Sequence, residues 1–372
     1  MHEKPSARAH KRGCFGVSGI EMKVLIIKMS SLGDVIHTLP AVTDAAKALK
    51  NVHFDWVVES AFQEIPKWHP AVGRVIGIDM RRWRKNIMQA LQQGEIKSFI
   101  KQLRTSQYDL VLDAQGLIKS SSVAFLAKGH RVGLDKHSAR ESIASLFYQT
   151  KIAASKNQHA VEKLRQLFAR ALGYSYQASA LSYGIDESCL KAVTVPDEYV
   201  MFLHGTTWST KHWPEQYWYD LAALLSEQGK QVMLTWGNEL EKQRAEKIRA
   251  FCEQRALTLL PIILPKLSLG EITYVIAKAQ AVVAVDTGLG HIAAMMNVPT
   301  VSLYGPTFPG FTGAYGNHQR HLSVSKDCHP CFEKQCPIAK ENMLYPPCFE
   351  SLPPAKVSEI LKQIMQQEPQ YG

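Results

Sequence analysis

Short apolar runs rich in valine and isoleucine recur along this chain, each followed by a polar or glycine-bearing loop and then by a stretch of helical periodicity. In the first half the runs fall at 23–28, 53–58, 74–78, 109–112 and 130–133. Helical patterns lie between and after them, near 34–49, 88–105, 118–127, 138–149 and 158–173. After the loop around Pro196 the rhythm restarts, with runs at 199–204, 231–235, 258–260, 280–285 and 299–303. Its helices are expected near 214–228, 238–254, 268–278 and 288–296. Strands buried on both faces read as continuous apolar runs, so parallel sheets covered by helices are predicted. The restart predicts two doubly wound α/β domains, 22–190 and 197–350, and a tail, 351–372, carrying a last helix near 354–367. The first 21 residues are polar and basic and read as a disordered extension without the apolar stretch of a secretory signal.

In doubly wound sheets ligands bind beyond the carboxyl ends of the strands, so the loops there are the candidate chemistry. The first is Lys28-Met29-Ser30-Ser31-Leu32-Gly33-Asp34, with a helix starting near Asp34. Its single glycine rules out the G-x-G-x-x-G dinucleotide fingerprint, which argues against a nicotinamide oxidoreductase. Asp34 at that edge is either a helix cap or a reacting carboxylate. In the second half, His204-Gly205-Thr206-Thr207 leads through Lys211 to Pro214, a proline suited to a first helical turn. Hydroxyls, backbone N–H groups and a lysine converging there fit a phosphate. A second such loop, Asp286-Thr287-Gly288-Leu289-Gly290-His291, lets the backbone approach a ligand closely. Glu241 follows another strand end, where a carboxylate can accept from ribose hydroxyls.

Charge sharpens this picture. Lysines and arginines number 43 against 33 aspartates and glutamates, a formal charge of +10, which implies anionic partners. The densest cluster is Arg81-Arg82-Trp83-Arg84-Lys85. There is no helix-turn-helix, RNP motif or finger spacing, so nucleic acid is the weaker partner. No window reaches the roughly 20 apolar residues of a membrane span. Cys328, Cys331, Cys336 and Cys348 gather in the tail. Their spacing leaves two readings open, a structural zinc and reduced thiols packing as small hydrophobes.

Seven motifs, in order, resemble the bacterial heptosyltransferase family over nearly all of the chain from Met22 onward. They are Lys28 to Val35, Arg81 to Lys85, Asp113-Ala114-Gln115-Gly116-Leu117-Ile118-Lys119-Ser120, Ala139-Arg140-Glu141, Lys211-His212-Trp213-Pro214-Glu215, Asp286 to His291, and Tyr304-Gly305-Pro306-Thr307. The resemblance implies a GT-B architecture, two Rossmann-like domains facing a central cleft with the final helix crossing back to the first. It implies inverting transfer of L-glycero-D-manno-heptose from ADP-heptose to a Kdo residue of Kdo-lipid A, with Asp34 as general base. Donor contacts are expected from Thr206, Thr207, Lys211, Glu241, Leu267, Asp286, Thr287, Gly288, Leu289 and His291, Lys211 also stabilising developing charge. Acceptor contacts are expected from Ser30, Ser31, Gly33, Arg81, Arg82, Lys85, Gln115 and Arg140. No Asp-x-Asp motif appears, so no obligatory metal or cofactor is expected; ADP-heptose is a co-substrate. Leu267 stands where a relative has methionine, a volume-conserving change. The cysteine tail looks more like that of heptosyltransferases adding later sugars, which keeps a heptose acceptor as an alternative. A non-catalytic nucleotide-sugar-binding protein is the rival from another class. The lipid acceptor implies transient contact with the cytoplasmic face of the inner membrane, through basic and apolar surface on the first domain.

Overall fold

The computed structural model describes residues 21–339 and 345–366; the expected extension before Glu21 and the end of the tail lie outside them. The first half holds β1 (Met22–Ile27), α1 (Leu32–Ile36), α2 (Leu39–Ala48), β2 (Val52–Glu59), α3 (Glu64–Lys67) and β3 (Val72–Ile78). It continues with α4 (Met80–Lys85), α5 (Ile87–Gln92), α6 (Glu95–Leu103), β4 (Leu110–Asp113), α7 (Ile118–Leu126), β5 (His130–Leu134), β6 (Thr150–Ile152) and α8 (Ala160–Leu172). The second half holds β7 (Val200–Leu203), α9 (Glu215–Glu227), β8 (Val232–Leu234), α10 (Glu239–Gln254), β9 (Ile262–Ile263) and α11 (Leu269–Ala277). After these come β10 (Ala281–Val285), α12 (Gly288–Met295), β11 (Thr300–Tyr304), α13 (Pro309–Thr312), β12 (Gln319–Ser323) and α14 (Pro354–Gln366).

Two six-stranded sheets result, ordered β3-β2-β1-β4-β5-β6 and β12-β11-β10-β7-β8-β9, with every pairing parallel. Numbered within its own half, the second sheet has the same order as the first, that of a Rossmann fold. Each therefore has one point where strand order reverses: between β1 and β4, and between β7 and β10. Val24, Leu25, Ile26 and Ile27, and all of β10, are buried, as central strands covered on both faces must be.

Several boundaries moved for local reasons. The helix expected over 34–49 is two, because Pro40 starts a new first turn at α2. That over 88–105 divides at Gly94, whose φ of +69° is left-handed. The one near 138–149 is a 3-10 helix, Ser142–Phe147. The strand expected at 258–260 pairs instead at 262–263, between Pro261 and Pro265. The short edge strands β6 and β12 carry too few apolar residues to announce themselves.

The final helix does not cross back. Val357, Leu361 and Ile364, a stripe at helical spacing, are buried in one cluster with Trp213, Trp218 and Leu225 of the second half. The Gln228 side-chain amide donates to Ser358 Oγ at 3.2 Å. The apolar stripe of α14 is thus spent on α9.

Candidate active site

The reversal points of the two sheets face each other, and the site is made from the loops and helix starts beyond their strands. Beyond β1, Ser31 is the N-cap of α1 and Asp34 its third residue. Asp34 Oδ2 accepts from the Ser31 N–H at 2.7 Å and from Ser31 Oγ at 2.8 Å, and Lys28 Nζ lies 3.6 Å from Oδ1. Asp34 is not the N-cap weighed for it, since the helix starts at Leu32 and Ser31 caps it. As the third helical residue it closes the capping box on Ser31, which fixes the carboxylate at the mouth of the cleft. Burial pushes the Asp34 carboxyl up, but Lys28, the Ser31 N–H and the His37 ring outweigh it, and the pKa falls to about 2. The side chain is still 36% exposed, so a reactant can reach it. Lys28, itself buried, is held by the Ala114 carbonyl at 3.0 Å.

Beyond β4, buried Asp113 accepts from the N–H groups of Gln115 and Gly116 and from Ser120 Oγ and Tyr148 OH. Four donors organise this loop around a carboxylate whose pKa burial raises. Gln115 turns its carbonyl to the Met29 N–H at 2.9 Å, so it braces the Asp34 loop. Lys119 Nζ donates to Ser30 Oγ at 3.2 Å. The Arg140 segment is tied on by Glu141, whose N–H donates to the Gly116 carbonyl and whose carboxylate accepts from the Ile118 N–H.

Across the cleft, Asp286 directly follows β10. Its Oδ2 receives Lys211 Nζ at 2.6 Å and Thr307 Oγ1 at 2.6 Å, and its carbonyl accepts from Thr206 Oγ1. Lys211 Nζ also lies 4.5 Å from the centre of the Trp208 ring. Asp286 thus aims a cation at the cleft. Thr287 stands at the N-cap position of α12 with no side-chain bond to the helix, at a helix start with positive polarity.

Leu203, Gly205, Glu241, Leu267, Thr287, Gly288 and Leu289 line one open cavity of about 320 Å³, and Leu32 of α1 closes it from the opposite half. Glu241 accepts from the Gly237 N–H at 2.7 Å. Two glycines permit the contact between the halves. A Cβ at Gly288 would stand 2.6 Å from Leu32 Cδ2, and one at Gly33 would stand 2.6 Å from His291 Cδ2.

Of the expected donor residues, Glu241, Leu267, Thr287, Gly288 and Leu289 line this cavity, and others stand elsewhere. His291 is buried against Gly33, its Nδ1 3.1 Å from His37 Nε2, so it packs between the halves and does not line the cavity. Arg82 is paired with Glu95 at 2.5 Å and Asp79 at 3.2 Å, while exposed Arg81 lies over the Phe62 ring. Thr206, Thr207, Lys211 and Asp286 lie on the segments beyond β7 and β10 but do not line the cavity. The zinc reading is not supported: among the described residues no group of three or more ligating side chains is arranged to hold a metal ion. Cys328, Cys331, Cys336 and Cys348 line a largely apolar cavity of about 30 Å³.

Sequence reasoning missed His37 and His159, and it quoted Lys28 and Thr307 within motifs without giving either a role. A lysine ending a fully buried strand is itself a signal, since a buried cation needs a partner. The histidines gave none, because only the fold brings His37 and His159 to the Gly313 carbonyl.

Two Rossmann-like sheets, with a carboxylate beyond one and, beyond the other, a cavity at a helix start and a Lys211–Asp286 pair, define a GT-B glycosyltransferase. Comparison with known proteins makes this particular. Residues 96–341 match glycosyltransferase family 9 (heptosyltransferase). The chain is 49% identical to lipopolysaccharide heptosyltransferase 1 of Pseudomonas aeruginosa, over 92% of this chain and 98% of that one. It is 46% identical to the protein of the same name from Escherichia coli K12, over 80% and 92%. Among solved structures it is similar to E. coli heptosyltransferase WaaC with ADP, at a TM-score of 0.80 and 41% identity, covering 92% of this chain and all of that one. The complex of that enzyme with ADP-2-deoxy-2-fluoro heptose gives 0.78 at 41% identity, over 92% of this chain and 99% of that one. The chain belongs to glycosyltransferase family 9, the heptosyltransferases.

Proposed function

We propose that this enzyme transfers L-glycero-D-manno-heptose from ADP-heptose to a Kdo residue of Kdo-lipid A, the first heptose of the lipopolysaccharide inner core. The observation that carries the reading is the shared wall of the nucleotide-sized cavity. Leu32, two residues from Asp34, closes the cavity that Glu241, Leu267 and the start of α12 line. A sugar leaving that cavity toward the first half meets the Asp34 carboxylate.

In this reading the second domain, 197–350, takes the donor and the first, 22–190, the acceptor. Leu267 packs on the adenine, and Glu241 accepts from the ribose. Thr206, Thr207, Lys211 and the N–H groups from Thr287 to Leu289 take the diphosphate. As the bond to the departing ADP breaks, negative charge grows on the β-phosphate, where Lys211 and the start of α12 meet it. The acceptor hydroxyl attacks the anomeric carbon from the opposite face and its proton passes to Asp34, giving inversion. A carboxylate with a pKa near 2 is a weak base. It stays ionised throughout the working range and takes the proton late, once the new bond has made the hydroxyl acidic. Ser30, Ser31, Arg81, Lys85 and Arg140 hold the anionic acceptor. Because that acceptor is a lipid, the place of work is the cytoplasmic face of the inner membrane.

Product mass tests the reading. Wild type should add one heptose to Kdo-lipid A, and Asp34→Ala should add none. Transfer only to an already heptosylated acceptor would move the enzyme to a later step.

A further inference from the structure

Lys211 sits on a segment too short to hold it unaided. Ser209–Lys211 is a single 3-10 turn, closed by backbone bonds from the Lys211 N–H to Trp208 at 3.1 Å and from the His212 N–H to Ser209 at 3.3 Å. Turns of this kind have poor hydrogen-bond geometry and little stability of their own. Yet Lys211 Nζ is held 2.6 Å from Asp286, with its side chain only 15% exposed. Contacts from outside the turn must fix it.

Those contacts come from a stretch far along the chain. Buried Thr210 donates from Oγ1 to the Glu333 carbonyl at 2.7 Å, 123 positions away. Ser209 donates from Oγ to the Lys334 carbonyl at 2.9 Å. Consecutive hydroxyls thus meet consecutive carbonyls. The residue before those carbonyls, Phe332, has a φ of +56°, a left-handed conformation that strains a bulky residue. Its ring is 52% exposed, so burial does not offset the strain. Hydrogen bonds do: the Phe332 N–H donates to the Pro306 carbonyl at 2.8 Å, and His329 donates from Nδ1 to the Gly305 carbonyl at 2.7 Å. The strained turn is what aims the Glu333 and Lys334 carbonyls at the lysine's segment.

Together these contacts form a closed circuit. Gly305 and Pro306 lead directly into Thr307, whose hydroxyl donates to the same Asp286 oxygen that receives Lys211. Gly305 also lets the two loops touch, since a Cβ there would stand 3.0 Å from the Thr210 carbonyl oxygen and 2.8 Å from the Phe349 ring. The stretch 329–334 therefore braces both the lysine's segment and the loop that steadies its counter-ion. Side chains add to it: the Trp208 ring has Lys211 Nζ at 4.5 Å from its centre and Lys334 Nζ at 5.5 Å.

We propose that Thr210 is a positioning residue for Lys211, and that the turn at Phe332–Lys334 is the buttress it works against, through the Glu333 carbonyl. The proposal rests on the reading above in which Lys211 meets the departing diphosphate, and adds what keeps the cation in place for it. Without the Thr210 hydroxyl the 3-10 turn relaxes and Nζ shifts from its place beside Asp286. Charge growing on the leaving group is then met by a cation that is less well placed.

The test compares the full-length variants Thr210→Val, which keeps the shape and loses the donor, and Thr210→Ser, which keeps the donor. With ADP-heptose and Kdo-lipid A, kcat should fall roughly tenfold in Thr210→Val, the effect of one buried hydrogen bond on the barrier. KM for the donor should change little, and Thr210→Ser should restore most of the loss. In a Lys211→Ala background Thr210→Val should lower kcat no further, because both act through one group. The same loss in both backgrounds, or a lower Tm with wild-type kcat, would mark a purely structural role and overturn the proposal. Acylation of Lys211 by acetic anhydride, mapped by peptide mass, reads the lysine's placement without turnover. It should be several-fold faster in Thr210→Val and close to wild type in Thr210→Ser; equal rates in all three would overturn the buttress. Ser209→Ala, at an exposed position, carries the test if Thr210→Val does not fold, and should shift kcat and acylation in the same directions by less. Wild-type values of both in Ser209→Ala would then overturn it. Faster acylation in the variants of an enzyme that transfers no heptose would refute the proposed reaction and leave the buttress standing.

Discussion

Gly33→Ala is the substitution whose effect the structure defines best. An added Cβ would lie 2.6 Å from His291 Cδ2 and 2.7 Å from Nε2, about 1 Å inside ordinary contact between such atoms. The ring cannot swing aside. It is buried, its Nδ1 is 3.1 Å from His37 Nε2, and the two rings meet edge to face at 4.6 Å. His37 is confined in turn by the Gly313 carbonyl at 3.3 Å and by the His159 ring at 5.3 Å. The overlap must move α1 away from α12 and carry Asp34 with it. Overpacking of this kind costs about 1–3 kcal/mol, and if that cost falls on closure of the cleft, turnover drops roughly 5- to 150-fold. ADP affinity, set within the second half, should change little. Turnover at saturating donor, with ADP binding by calorimetry, measures both. The double variant Gly33→Ala/His291→Ala should recover most of what Gly33→Ala loses relative to His291→Ala, because the two effects share one contact. Wild-type turnover in Gly33→Ala, or strict additivity in the cycle, would refute the claim that this contact sets the position of Asp34.

Other expectations are simpler. Asp34→Ala should abolish transfer while ADP binding persists, measured by product mass and calorimetry. Lys211→Ala should lower kcat by roughly 100-fold or more if it meets charge in the transition state, whereas a change confined to KM would mean uniform binding. Burial depresses the pKa of His37 well below 6.5 and brings that of His159 to about 4. Both are neutral when folded, and the unfolded chain takes up the protons first, so stability is full above pH 6.5 and falls as pH drops toward 4. Tm across that window should decline, and His159→Gln should flatten the decline. Asp34 has a lowered pKa, so its stabilising contribution is present above pH 3.8 and is lost only as pH falls toward 2. It should therefore place no acid limb on kcat/KM above about pH 4.

The central strands and their loops were legible because a valine- and isoleucine-rich run ending in Lys28 or Asp286 has few other ways to fold. The same reading located Glu241 and the Thr287–Leu289 turn, which do line one cavity, and Leu267, expected only from the family resemblance, lines it with them. The features that stayed hidden depended on neighbours far apart in sequence. His291 reads as a ligand residue one turn into a helix, yet its partner is His37, 254 positions away. Arg82 reads as part of a basic binding patch, but Glu95 takes it. The destination of α14 was open for the same reason, since its apolar stripe fits either half and only the exposed face of α9 decides.

The contact between Lys211 and Asp286 gives the second half an internal counter-ion. The lysine's charge is already paired within the protein at 2.6 Å, so in the proposed reading an arriving diphosphate shares the cation with a carboxylate and does not claim it alone. On that reading the grip on ADP is weaker for it, and when the product departs Asp286 recovers the lysine without waiting for water to solvate it. A site whose cation always has somewhere to return to is built to let go, which is what repeated turnover requires.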